Sequence, residues 1–323
     1  MKIYNQLSEF KKLDNAVVTI GTFDGIHFGH QKIIKRLCEL AKSTGGESVL
    51  LTFFPHPRMI IDPENQELKM INTVDEKAQI LASLGVDHLI ITPFTRDFSN
   101  LSADEYIKKI LVDTIGTKKI IIGYDHRFGK DRLGNIQTLV ENTDKYGYSV
   151  EEIPEQDIND VAVSSTKIRK ALLDGDVALA NNYLGYAFSI YGPVIKGDKI
   201  GRTIGFPTAN IFVPETYKLI PSDGIYAVTV ELEHEVGSAN TEVNGELSTY
   251  KGMAYIGQRP TINGMTRNIE VNIFDFNREI YGQNIKMNFL AFLRHDVKFT
   301  GLEALTKQLQ QDKADTLAFF NNK

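Results

Sequence analysis

The hydrophobic period of this chain changes once, near Tyr186, and that change limits the folds open to it. Ahead of it, the runs Ala16–Ile20, Ser48–Phe54, His88–Thr92 and Lys119–Gly123 read as buried strands. They alternate with stretches at helical spacing, His30–Ser43, Thr73–Leu84, Ala103–Thr114 and Asn135–Tyr146. Alternation of this kind predicts an α/β unit with a doubly wound, mostly parallel sheet. A helix over Ser165–Leu173, with further turns to Leu184, closes the pattern.

Beyond Tyr186 the period is two, with turn residues between short runs. Phe188–Val194, Gly224–Glu233, Gly252–Ile256, Asn268–Phe276 and Asn284–Arg294 predict an antiparallel sheet or small β-barrel. A terminal helix over Gly301–Phe320 follows, with Leu302, Leu305, Leu309, Leu317 and Phe320 on one face. Glu233–Tyr250 is polar and too long for a hairpin turn. A chain of 323 residues exceeds the size at which one core stops growing, so domains at 1–185 and 186–323 are expected.

Charge and composition narrow the function classes. A net charge of −5 offers no general attraction to nucleic acid or to an anionic membrane, so any anion site is local. A single cysteine, Cys38, excludes an internal disulfide framework. The first ten residues lack the apolar segment of a secretory signal, and no apolar run reaches the ~18 residues needed to span a bilayer. The expected location is the cytoplasm, and the expected partners are small molecules, with the chain a monomer or weak homo-oligomer.

Gly21-Thr-Phe-Asp-Gly-Ile-His-Phe-Gly-His30 joins the first predicted strand to the first long helix. Glycines there let backbone approach a phosphate, and the helix N-terminus supplies oriented N–H groups. His27 and His30 flank Gly29 and can donate hydrogen bonds to developing negative charge. Two histidines three apart also suit zinc or a plain helix surface, but no third soft ligand lies near them. Ser164-Ser-Thr-Lys-Ile-Arg169 opens a later helix with hydroxyls that capping alone would explain. Arg169 sits at the positive end of that helix, where it gains nothing from the dipole, and a bound phosphate would supply its partner.

Two more stretches end strands. Thr52-Phe-Phe-Pro-His-Pro57 combines aromatic faces with rigid prolines, fit for a flat ring or for a plain turn. Gly123-Tyr-Asp-His-Arg-Phe-Gly129 presents Asp125, suited to a ribose or base amine or simply to solvent. In the second half, Gly197-Asp-Lys-Ile-Gly-Arg-Thr-Ile-Gly-Phe-Pro-Thr-Ala-Asn210 is a glycine-punctuated loop whose Thr208 and Asn210 are oxygen ligands suited to magnesium, although β-protein loops often carry the same residue types. The strand Arg267–Phe274 alternates so that Glu270 and Asn272 share the face opposite Ile269, Val271 and Ile273. If that polar face lines a cleft, Glu270 is a base candidate; if not, it is a surface carboxylate.

In this order and at these separations the motifs closely resemble the bacterial bifunctional FAD synthetases, over nearly the whole chain. The resemblance implies a Rossmann-like nucleotidyltransferase domain that joins ATP to FMN, followed by a closed riboflavin kinase barrel. It implies that His27 and His30 contact ATP phosphates together with Gly21, Phe23, Asp24 and Gly29, that Ser165, Thr166 and Arg169 close on them, and that Asp125 lies near the adenosine. Pro55, His56, Pro57 and Phe128 are implied to hold the flavin. In the barrel, Thr208 and Asn210 are implied to bind Mg-ATP, the loop with Gly197, Lys199, Gly201, Arg202, Gly205 and Pro207 to cover its phosphates, and Glu270 to serve the riboflavin hydroxyl. The implied compounds are Mg2+, ATP, riboflavin, FMN and FAD. The chain departs from the family pattern at His126, Tyr255, Asn272 and Asp296, and in the length of 233–250. Two other readings stay open: a nucleotidyltransferase for another phosphate monoester, and an adenylyltransferase whose barrel binds flavin in a regulatory, kinase-impaired form.

Overall fold

The computed structural model describes residues 1–62, 64, 68–154, 163–197, 199–232, 248–261 and 264–322. It divides into two compact units, Met1–Ser165 and Thr166–Lys323.

In the first unit six parallel strands pair in the order β1-β4-β3-β2-β5-β6. They are β1 (Lys2–Tyr4), β2 (Ala16–Ile20), β3 (Glu47–Phe54), β4 (His88–Pro93), β5 (Thr117–Gly123) and β6 (Ser149–Ile153). Every residue of β2 is buried, because both faces of the sheet are covered. Val18, Ile20, Val49 and Leu51 belong to one core and Val17, Leu50, Leu89 and Ile121 to the other. That double burial is why the strands read as unbroken apolar runs.

Helix α1 (Phe28–Ser43) packs Ile33, Ile34, Leu37 and Leu40 into the second core. Helix α2 (Val74–Ser83) begins at a capping box in which Thr73 Oγ1 accepts from the Glu76 amide at 3.1 Å and the Thr73 amide donates to Glu76 Oε2 at 2.8 Å. The expected helix over 103–114 is an α-helical turn, Ala103–Glu105, followed by a π-helical stretch, Tyr106–Ile115. The expected helix over 135–146 is broken at Asn142 into Ile136–Glu141 and Thr143–Tyr146. Strands β1 and β6 were not anticipated: β1 has three residues, and β6 is a polar edge strand whose Glu151 is paired with Arg36.

This topology positions a site. From β2 the chain steps to β3 and β4 on one side, then crosses to β5 and β6 on the other, so the order reverses beside β2. Ligands of open α/β sheets bind at the carboxyl ends of strands at such a reversal. The loops that begin at Gly21, Pro55 and Tyr124 leave the carboxyl ends of β2, β3 and β5.

In the second unit β7 (Ser189–Ile195), β8 (Ala209–Ile211), β9 (Gly224–Leu232), β10 (Ser248–Thr261), β11 (Gly264–Ile273) and β12 (Asn284–Arg294) close a barrel in the order β10-β11-β8-β7-β12-β9. All its pairings are antiparallel. Strand β8 is too short to show a period and was not predicted. Of the polar stretch expected at 233–250, residues 233–247 lie outside the described residues. Helices α3 (Ser165–Leu173) and α4 (Val177–Leu184) run up to the barrel, where the Asn181 amide side chain donates to Phe289 O at 2.8 Å and the Ser222 amide to Leu172 O at 3.1 Å.

Helix α5 (Leu302–Asn321) differs from the expected leucine stripe. Its buried residues are Asp312 and Thr316, while Leu302 is 59% exposed. Asp312 is held by a bidentate ion pair: Arg294 Nε and Nη2 donate to Asp312 Oδ1 and Oδ2 at 2.7 and 2.6 Å. It follows Leu305 and Leu309 at helical spacing and lines the same cavity as they do, so the carboxylate is buried on the leucine face.

Candidate active sites

In the first unit the loop after β2 is held in a conformation that side chains resist. Phe23 and Ile26 have φ of 45° and 34°, on either side of Gly25 at 86°. The loop is pinned from below. Asp24 is buried, its carboxylate accepting from the amides of Ile71 at 3.0 Å and Asn72 at 3.4 Å, and its carbonyl accepting from Ser165 Oγ at 2.8 Å. Ser165, 141 residues away in sequence, thereby joins the glycine loop. Asp24 works as an internal anchor, and Phe23 is buried with its ring 5.0 Å from that of His30.

His27 is the N-cap residue of α1, yet its side chain makes no capping bond. It stacks on His30 instead, with ring centroids 3.7 Å apart and planes 17° from parallel. The Nδ1 atoms of both rings are buried without a hydrogen-bond partner among the described residues. Burial lowers the His27 pKa to about 4. Burial, and after it the charges of His27 and Lys77, hold His30 well below the ordinary imidazole value. Both rings are therefore neutral at pH 7. Unpartnered buried imidazole nitrogens beside a helix N-terminus suit an anion that arrives with acceptor oxygens. Among the described residues no three His, Cys, Asp or Glu side chains group as a metal site, so the zinc reading of this pair has no support.

Other expected residues follow β3 and β5. The Phe54–Pro55 bond is cis, and His56 Nδ1 accepts from the Arg58 amide at 3.2 Å, capping the short helix Pro57–Ile61. Asp125 is exposed. Phe128 is buried, its ring 5.3 Å from Tyr106 and closed over Gly134, where a Cβ would meet the ring at 2.8 Å. It belongs to one core of the sheet and forms a bridge with Gly134. Thr166 is exposed and Arg169 half-buried, both on α3 in the second unit.

In the second unit the pairing of β8 with β11 sets Asn210 opposite Glu270. Thr208 Oγ1 donates to Glu270 Oε2 at 2.9 Å, and the Asn268 side chain donates to Glu270 Oε1. Asn272 Nδ2 donates to Pro207 O at 2.7 Å, which ties the Pro207–Asn210 segment to β11. Oxygen-bearing side chains from two segments about 60 residues apart, Thr208 on one and Glu270 and Asn272 on the other, thus converge. They border a cavity of about 350 Å³ whose walls include Phe206, Met253 and Leu309 on the apolar side and Thr208, Glu270 and Asn272 on the polar side. The polar face of β11 does line a cleft, which resolves the alternative left by the sequence.

The preceding loop folds back on this group. A Cβ on Gly197 would lie 2.4 Å from Asn210 Nδ2, and one on Gly201 would lie 2.1 Å from Phe206 O, so both positions exclude larger residues. Gly205 has a φ of 82°. Lys199 Nζ is 5.8 Å from the Tyr281 ring, and Arg202 pairs with Glu279 at 3.6 Å in solvent. Asp198 of this loop lies outside the described residues.

Several functional candidates escaped the sequence. Tyr255 and Asp296, noted only as departures, meet across the cavity, the phenol donating to Asp296 Oδ2 at 3.0 Å. Burial and then the charges of Asp296 and Glu270 push the Tyr255 phenol well above its ordinary range. Arg294 and Asp312 line the same cavity. Lys77, in the first turn of α2, is buried beneath the glycine loop. Its one visible signal was a cation at the positive end of a helix, next to the core positions Ala78 and Leu81.

Comparison with known proteins matches each part of the chain to a family. The FAD synthetase family matches residues 9–167 and the riboflavin kinase family residues 184–320. Along nearly its whole length the chain is 39% identical to a bifunctional riboflavin kinase/FMN adenylyltransferase of Listeria monocytogenes, covering 95% of this chain and 93% of the relative. The chain belongs to the bifunctional riboflavin kinase/FMN adenylyltransferase family. A second family member, from Bacillus subtilis, is 36% identical over 95% of this chain and 93% of its own. A solved structure from Streptococcus pneumoniae, named a macrolide-efflux protein, superposes with a TM-score of 0.84 at 31% identity over 98% of both chains. Among the described residues no helix is long and apolar enough to cross a membrane.

Proposed function

We propose that this chain makes FAD from riboflavin in two steps, one in each unit. The barrel transfers the γ-phosphoryl group of ATP to the terminal ribityl hydroxyl of riboflavin, giving FMN and ADP. The N-terminal site then transfers the adenylyl group of a second ATP to the FMN phosphate, giving FAD and pyrophosphate. The observation that carries the reading is the hydrogen bond between Thr208 and Glu270 on the wall of one cavity, with Asn210 in register opposite Glu270, in a chain that also holds the stacked His27–His30 pair.

In the barrel, Glu270 orients the hydroxyl and accepts its proton as the oxygen attacks phosphorus. Thr208 and Asn268 hold the two carboxylate oxygens in place for that task. Oxygen donors of this kind suit Mg2+; Thr208 and Asn210 would hold it together with ATP phosphates, where it supplies charge neutralisation. The apolar side of the cavity suits a flat flavin ring, and the loop with Gly197, Lys199, Gly201, Arg202, Gly205 and Pro207 covers the phosphates.

In the N-terminal site the nucleophile is an FMN phosphate oxygen, already ionised at neutral pH, so positioning and charge are needed rather than a strong base. Neutral His27 and His30 donate to the phosphates, with the backbone of Gly21–Gly29 and the hydroxyls of Ser165 and Thr166 beside them. Arg169 adds charge, Asp125 meets the adenosine, and Pro55, His56 and Pro57 border the flavin. A domain division at 185 and 186 separates the two activities, and the enzyme works in the cytoplasm as a monomer or weak homo-oligomer with small-molecule partners. The kinase-impaired reading rested on Tyr255 and Asn272; their hydrogen bonds to Asp296 and Pro207 leave Glu270 in place, which favours an intact kinase.

Chromatography of flavins after incubation with Mg-ATP tests the division of labour. Glu270→Ala should stop FMN formation from riboflavin while FAD still forms from supplied FMN, and His30→Ala should do the reverse. A single change that stopped both would refute two independent sites.

A further inference from the structure

Lys77 lies where a lysine is costly. It is 5% exposed, in the first turn of α2, at the positive end of the helix dipole. Its Nζ donates to Thr22 O at 2.6 Å and reaches Thr52 Oγ1 at 3.4 Å. Thr52 Oγ1 itself donates to Thr22 O at 3.2 Å. Neither oxygen carries a charge, and an ammonium has three N–H groups, so one is without a partner among the described residues. Thr22 belongs to the glycine loop, and the Lys77 charge acts on His30 strongly enough to depress its pKa. The carboxylate of Asp24 acts on Lys77 in the opposite sense, and burial still brings the lysine down to about 8.

The Asp24 carboxylate accepts from the amides of Ile71 and Asn72, and Lys77 itself bonds only neutral oxygens, beside two imidazoles whose Nδ1 atoms have no partner among the described residues; the group suits a further anion. We infer that Lys77 is a positioning residue of the N-terminal site, a fixed positive charge beneath the Gly21–His30 loop that draws the triphosphate of ATP, and the pyrophosphate it releases, onto the His27–His30 pair. This rests on reading that site as one for nucleotide phosphates. It explains why the loop is tethered through a charged donor when Thr52 alone could supply a neutral one.

The reading is tested by titrating Mg-pyrophosphate into the full chain by calorimetry, which requires no turnover. A unit charge acting across roughly 8 Å at an effective dielectric of about 20 changes binding about 30-fold. Lys77→Met should weaken pyrophosphate by that order and flatten its dependence on salt. Lys77→Arg, which keeps the charge, should restore binding to within about threefold. Thr52→Val, which removes the neutral hydroxyl with its bonds to Thr22 O and Lys77 but keeps the charge, should cost no more than about threefold.

Two results overturn the inference: binding by Lys77→Met equal to wild type with the same salt dependence, or a loss in Thr52→Val as large as in Lys77→Met, which would make the cluster a loop tether alone. Absence of pyrophosphate binding by the wild-type chain overturns it as well. Failure of FMN as acceptor, with the Lys77-dependent pyrophosphate affinity intact, would refute the acceptor named above and leave the role of Lys77 standing.

Discussion

Replacing Lys77 by methionine should make the N-terminal unit more stable. The ammonium titrates at about 8 in the folded chain, against an ordinary 10.5, chiefly through burial. At about 1.36 kcal/mol per pH unit, the protonated form carries a cost of about 3 kcal/mol at neutral pH. Methionine keeps an unbranched stem of similar length and abolishes the charge. Loss of the charge-assisted bond to Thr22 O offsets about 2 kcal/mol of the gain, and Thr52 Oγ1 still donates to that carbonyl. The net expectation is a stabilisation of about 1 kcal/mol at pH 7.

The pH dependence carries the sign. The unfolded lysine keeps its proton up to about 10.5 while the folded one releases it near 8. Between those values the unfolded chain binds more protons, so wild-type stability rises with pH, and below 8 the full penalty applies. Lys77→Met should lack this rise, and its advantage should vanish above about pH 10.5. The chain has no tryptophan, and its two units need not unfold together. Hydrogen exchange, corrected for intrinsic rate and read on peptides covering Ala16–Ile20 and Glu47–Phe54, reports this unit alone. A variant less stable than wild type at pH 7, with an unchanged slope between pH 8 and 10, would refute the argument and show that the tether to Thr22 outweighs the buried charge.

Two further expectations concern the barrel. Gly197→Ala sets a methyl group 2.4 Å from the Asn210 side chain, so riboflavin phosphorylation should fall at least about tenfold while FAD formation from FMN is kept; equal rates in the variant would show that the loop need not close on Asn210. Asp312→Asn leaves Arg294 half-buried without its bidentate partner and should destabilise the barrel unit by about 3 kcal/mol. Exchange of the peptide covering Leu302–Asn321 should rise in that variant, and an unchanged rate would mean that the ion pair does not hold the helix.

Parts of this arrangement were open to reading and parts were not. Strands β2, β3, β4 and β5 were legible because both of their faces are buried, so each is a continuous apolar run. The glycine loop and its two histidines were legible because they are contiguous. The burial of Phe128 was not legible, since nothing local tells an exposed aromatic ring from one folded onto a glycine six residues away. On the last helix periodicity showed the leucine face, but not that Asp312 on the same face would be buried with it through an ion pair to Arg294.

What the sequence determined by itself was therefore local and repetitive: two halves of different period, a phosphate-type loop between a strand and a helix, and a strand with one polar face. Tertiary structure decided which residues meet. Ser165 joins Asp24, Thr208 joins Glu270, Tyr255 joins Asp296, and Lys77 comes to lie under Thr22. Each of these contacts links positions that no periodicity relates, because chain crossing, strand register and the need to satisfy buried polar groups act over distances in sequence that local propensity cannot span.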